Sequence, residues 1–97
     1  MKLVWLPLAI ADLTELRRYI ADHDPGAAQR VAVKLRRTAG LLKHHPHLGR
    51  PSPVVGLREI SVAGLPYVIP YRVTHDRVEI LRVFHTAQER PDQWEIP

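Results

Sequence analysis

The stretch VEILRVFHTAQERPDQWEIP, residues 78–97, places Arg82, His85, Arg90 and Trp94 close together in the chain. A histidine among arginines at the mouth of a strand has the residue types of metal-free RNA cleavage. That chemistry needs a general base for the 2′-hydroxyl, cations for the phosphate and an acid for the leaving oxygen. Arg82 and Arg90 suit the phosphate and His85 suits proton transfer, with Arg58 and Arg72 as further cations from other strands. The acid/base pair is nevertheless incomplete. Tryptophan and arginine are also the usual energetic anchors of protein interfaces, so the same four residues describe a surface that grips another protein.

Other chemistries find less support. Of six histidines, His44, His45 and His47 cluster around Pro46, but no cysteine or paired carboxylate accompanies them. Zinc sites use three or four regularly spaced ligands, so no metal and no cofactor are expected. The five glycines are scattered and form no phosphate-cradling loop. Ser52 and Ser61 lack a nucleophile-elbow context. Glu59 and Glu79 lie in strand-like segments, where each can pair with an arginine across a sheet.

The elements that position these residues follow from periodicity. Lys2 to Leu6 reads as a short strand, with Val4 and Trp5 in it. Pro7 suits the first turn of a helix, and Ala9, Leu13, Leu16 and Ile20 fall at helical spacing. A first helix is expected over 7–22, starting without a side-chain cap because Leu6 offers no oxygen. Asp24 can cap a second helix with Pro25 in its first turn. Its apolar stripe is Ala28, Val31, Leu35, Thr38/Ala39 and Leu42, while Arg30, Lys34 and Arg37 share a different face. The prolines and glycines of 44–56 make a loop. The segments 57–62, 66–73 and 77–84 then read as strands joined by the short turns AGL and THD, an antiparallel meander. Pro70 cannot donate to a ladder, so a bulge or edge is expected there. A single domain, 1–97, of α+β class with βααβββ order results. A helical hairpin packs on one face of a mainly antiparallel sheet, and the other face is left partly open.

Composition agrees with one small domain. Ninety-seven residues bury only about 60–70% of the unfolded surface. The absence of cysteine favours a reducing compartment, and no apolar run reaches the roughly 20 residues of a membrane span. A cytoplasmic protein without a membrane partner is expected. The net charge of +4 is uneven: residues 1–56 hold nine Lys/Arg against four Asp/Glu, and 57–97 hold five against six. Residues 25–45 carry five cations and no acid. Such a face attracts nucleic acid or an acidic protein segment.

Read together, Trp5 with Pro7, ADL (11–13), YIA (19–21), HPHLGRP (45–51), GLREI (56–60), PYVIPYRV (66–73) and VEILRVFH (78–85) resemble the RelE/ParE toxin superfamily of type II toxin–antitoxin systems. The resemblance spans nearly the whole chain, and its βααβββ order matches the one derived from periodicity. Members that cleave messenger RNA on the ribosome usually carry a basic residue where this chain has Tyr67-Val68. They also place proton-transfer groups where it has Thr86 and Ala87 after His85. The pattern resembles the ParE branch more closely, with departures at Pro70 and at Gln88-Glu89.

That branch implies a toxin that inhibits DNA gyrase and replication by binding rather than by catalysis. Target contact is then expected at Arg82, His85, Arg90 and Trp94. A cognate antitoxin, ParD-like or a similar small DNA-binding protein, is implied as a partner in a toxin–antitoxin hetero-oligomer. Leu13, Leu16, Arg30, Lys34 and Arg37 are the expected antitoxin contacts. The alternative is a RelE-like ribosome-dependent mRNA endoribonuclease, metal-independent, using Arg82, His85 and Arg90.

Overall fold

The chain runs β1 (Lys2–Trp5), α1 (Pro7–Ala21), α2 (Pro25–Leu41), β2 (Arg50–Pro51), β3 (Arg58–Ser61), β4 (Tyr67–Val73), β5 (Arg77–Ile80) and β6 (Phe84–His85). The structure is a computed structural model that describes residues 1–87. Leu6 is extended and makes no side-chain cap, so α1 relies on Pro7 at its start. At α2 the Asp24 carboxylate accepts the Ala27 N–H at 3.0 Å, and Pro25 occupies the first turn. The short connector between the helices makes them an antiparallel hairpin.

The sheet order is β1-β5-β4-β3-β2. β1 runs parallel to β5, with Leu3 beside Val78 and Trp5 beside Ile80, and the remaining pairs are antiparallel. The helices lie on the face that carries Ile60, Ile69, Tyr71, Val78 and Ile80. These pack with Ala9, Leu35, Ala39 and Leu42 into one core, against which Leu13, Leu16 and Val31 also rest. The βααβββ expectation is met and extended by two short strands: β2 inside the expected loop, and β6.

The last strand departs from expectation. It does not run unbroken over 77–84 but stops at Ile80 and resumes at Phe84. β5 pairs with the end of β4 (Tyr71 with Ile80), whereas β6 pairs with its beginning (Val68 with Phe84). Pro70 sits between. A strand residue directs its N–H and C=O to the same neighbour, and the Pro70 carbonyl accepts the Leu81 N–H at 3.0 Å. The donor that proline lacks therefore faces the break at 81–83. The ladder is interrupted beside Pro70, on the neighbouring strand, and the alternation shifts across the break: Val83 joins the core with Val78 and Ile80, whereas Phe84 does not.

The face away from the helices is less open than expected. Val68, Leu81 and Phe84 are buried there although they lie outside the helix-packed core. Two buried carboxylates share this face, and arginines of the same and neighbouring strands neutralise them. Glu79 accepts from Arg72 Nε at 2.7 Å and from Arg77, and Glu59 lies 3.5 Å from Arg50.

The segment 44–51 is pinned by one buried tyrosine. Tyr71 donates its hydroxyl to the Pro46 carbonyl at 2.8 Å and accepts the Gly49 N–H at 2.9 Å. Arg58 donates to the Gly49 carbonyl at 2.7 Å. A Cβ on Gly49 would lie 2.5 Å from the Glu59 carbonyl oxygen and 2.7 Å from the Tyr71 ring, so only glycine fits this approach.

Candidate functional site

Two separate surfaces carry the residues singled out in the sequence. The first lies at the break in the last strand. Beyond Leu81, whose N–H still bonds to Pro70, the backbone needs other partners, and the Asp12 carboxylate on α1 supplies one. It accepts Arg82 Nε at 2.7 Å, Arg82 Nη2 at 3.0 Å and the Val83 N–H at 2.9 Å. The bidentate pair is the strong geometry for an arginine and a carboxylate, and its hydrogen bonds push the Arg82 pKa further up. The guanidinium carbon also sits 4.9 Å from the centre of the Phe84 ring. Arg82 is thus committed to holding the strand end on α1.

His85 follows on β6, opposite Tyr67 of β4, and the two rings meet edge to face at 5.5 Å. Its Nδ1 accepts the Ala87 N–H at 3.0 Å. Between α1 and this strand end lies a cavity of about 310 Å³, lined by Asp12, Glu15, Tyr19, Tyr67, Val83 and His85, among others. Burial pushes the Tyr67 phenol up, and the neighbouring Tyr19 adds to the shift, so Tyr67 is a neutral hydroxyl near neutral pH. Tyr19 is 70% exposed at the cavity mouth.

Arg90 and Trp94 lie outside the described residues. Asp12 and Tyr67 belong to this site and were not singled out from the sequence. Asp12 read as a charge off the apolar stripe of its helix, and nothing local ties it to Arg82. Tyr67 stands out in the sequence only as a strand aromatic where RNA-cutting members usually carry a basic residue.

The second surface is α2. Arg30, Lys34 and Arg37 all line one shallow concavity on its outer side, as their spacing predicts. Leu13 and Leu16 are elsewhere: both are half-buried on α1 and rest against the core. Leu16 also lines the His85 cavity. The five expected antitoxin contacts therefore do not form one patch. Among the described residues, no three histidine, aspartate or glutamate side chains come together in a way that could hold a metal, and no helix is long and apolar enough to cross a membrane.

The chain's likenesses agree with this architecture. The family model described as "ParE toxin of type II toxin-antitoxin system, parDE" matches residues 3–90. A Sinorhizobium fredii protein provisionally named toxin Y4kP is 40% identical over 90% of both chains. Toxin RelE2 of Caulobacter vibrioides is 42% identical over 90% of this chain and 97% of its own. A solved structure titled "Chromosomal ParDE TA system from P. aeruginosa" superposes with a TM-score of 0.79 at 28% identity, covering 88% of this chain and 95% of that one. Fold and relatives define the toxin half of a type II toxin–antitoxin module. The chain belongs to the ParE toxin family, and an antitoxin is its partner.

Proposed function

We propose that this toxin acts by inhibiting DNA gyrase, and through it replication, and that a ParD-like antitoxin neutralises it in a hetero-oligomer within the cytoplasm. The observation that carries the reading is the state of the residues an RNA-cutting site would need. Arg82 spends both Nε and Nη2 on Asp12, and the Nδ1 of His85 accepts from the Ala87 amide. A phosphate clamp and a general base require those groups to be turned toward substrate. Thr86 and Ala87 supply no replacement. Target contact is then a matter of binding. His85 and the rim of its cavity form the contact surface, Arg82 fixes the strand end that presents them, and Arg90 and Trp94 add anchors from the following segment.

A second reading is a RelE-like ribosome-dependent endoribonuclease. It is favoured by the cavity itself, which gathers a carboxylate (Glu15), a neutral phenol (Tyr67) and an imidazole (His85). Inducible expression separates the two. Gyrase inhibition predicts double-strand DNA breaks, relieved by altering gyrase, while message stays intact. Rapid message cleavage at ribosomes, with unbroken DNA, would overturn the gyrase reading. Removal of residues 86–97 is expected to abolish growth arrest, and persistence of arrest would move target contact away from this end.

A further inference from the structure

A second cavity, separate from the one at His85, opens between the pinned loop and the sheet. It holds about 310 Å³ and is lined by His47, Gly56, Leu57, Arg58 and Val73, among others. The two cavities share no lining residue. Arg58 stands opposite Tyr71 of β4, whereas His85 stands opposite Tyr67. Four residues of strand, roughly 13 Å, separate those positions.

Arg58 is the group whose charge the fold leaves unanswered. Half-buried charges are ordinarily paired, and its counterparts obey: Arg72 spends itself on Glu79 and Arg82 on Asp12. Arg58 is half-buried too, yet among the described residues no carboxylate lies within ion-pair distance of it. One of its five N–H donors goes to the Gly49 carbonyl at 2.7 Å. Among the described residues, no side-chain nitrogen is buried without a partner, so the other donors reach solvent. No acidic side chain occurs anywhere from 25 to 58. Glu59, next in the chain, faces the other side of the sheet beside Arg50. The missing counter-charge must therefore come from outside the fold.

The guanidinium is also held in place before any ligand arrives. Its acceptor, Gly49, is itself fixed by the Tyr71 hydroxyl at 2.9 Å, so an anion need not order a loose side chain. The neighbouring groups select the kind of anion. A planar carboxylate would fill the arginine fork and leave no oxygen for His47. A tetrahedral phosphate places two oxygens on the fork and a third on the imidazole, which offers a ring N–H in either charge state. Leu57 and Val73 supply an apolar wall, beside which such charged hydrogen bonds strengthen. We infer that this cavity binds a phosphate group, free or carried by a nucleic-acid backbone, with Arg58 as its clamp and His47 as a second donor.

The test titrates the full-length chain with sodium phosphate at fixed ionic strength, following the Arg58 Nε–H and the His47 and Gly56 amides by NMR. Saturating shifts centred on these groups are expected, with sodium acetate binding at least about threefold more weakly. Arg58→Lys keeps the charge but loses the fork, and is expected to weaken phosphate binding by about fivefold or more. His47→Ala leaves the Gly49 bond intact and is expected to weaken it by about threefold. Arg18→Lys, at an exposed position on α1, is the control and should change nothing. Circular dichroism checks each fold. If Arg58→Lys does not fold, the parent and His47→Ala titrations decide.

A short duplex DNA then distinguishes the sources. Weaker DNA binding by both variants assigns the site to a backbone phosphate. Unchanged DNA binding, with phosphate still saturating, assigns it to a free phosphate or phosphate ester. Shifts that never saturate, that spread equally over the exposed arginines, or that acetate reproduces at the same concentration would overturn the inference. So would a folded Arg58→Lys that binds phosphate as the parent does.

Discussion

At the scale of single residues, the buried charges do structural work that leaves few groups for chemistry. Glu79 is the clearest case. Burial of its carboxyl opposes ionisation, but Arg72 and Arg77 outweigh burial and hold its pKa below the ordinary carboxylate range. A pKa lower in the folded state than in the unfolded chain means that stability is gained above the unfolded value, about 4.3 for glutamate. It is lost as pH falls through the lower folded value. Glu79→Gln is therefore expected to cost roughly 1–3 kcal/mol near neutral pH, as for a buried group that loses charged partners. The gap between variant and parent should close as the medium is acidified. Urea denaturation midpoints across that range measure it, and a gap constant with pH would show that Glu79 is not held ionised by its arginines. Pairing of both strand glutamates with arginines was legible in the sequence, because residues facing each other on a sheet meet predictably. The partner of Arg82 was not, since Asp12 is seventy residues away and on a different element.

At the scale of elements, the decisive feature is the gap between β5 and β6. Pro70 removes one donor from β4, and Asp12 takes the groups released from Arg82 and Val83. Asp12→Ala leaves a half-buried guanidinium and a backbone amide without their carboxylate. It is expected to destabilise the fold by roughly 1.5–3 kcal/mol. In a double-mutant cycle with Arg82→Met the two effects should be less than additive, because either change alone destroys the pair. Simple additivity in chemical denaturation would mean that the contact contributes nothing of its own. The helices were readable from local signals: Pro7, Asp24 with Pro25, and the spacing of the leucines and alanines act within a turn or two. The strand order was partly readable for the same reason, since short turns force neighbouring strands together. The break was not, because an apolar run such as VEILRVF satisfies the pattern of a continuous strand. Its interruption depends on contacts made only after the sheet and α1 have met.

At the scale of the whole molecule, a chain of this length has a modest core, so a partner that binds it adds noticeably to its stability. An antitoxin that binds only the folded toxin raises stability by mass action, by about 2.7 kcal/mol at a free concentration one hundred times Kd. Thermal unfolding of the toxin is thus expected to move upward with added antitoxin and to keep rising with its concentration beyond stoichiometry. A Tm indifferent to antitoxin would show that the two do not associate in the native state. The parallel pairing of β1 with β5 adds a constraint in time. β1, Lys2–Trp5, is made before its sheet neighbour and can pair only when Arg77–Ile80 have also emerged, and pairings so distant in sequence form slowly. The helical hairpin, built from local contacts, needs no such delay. A nascent toxin therefore presents its helical hairpin before the sheet that will cover it can close.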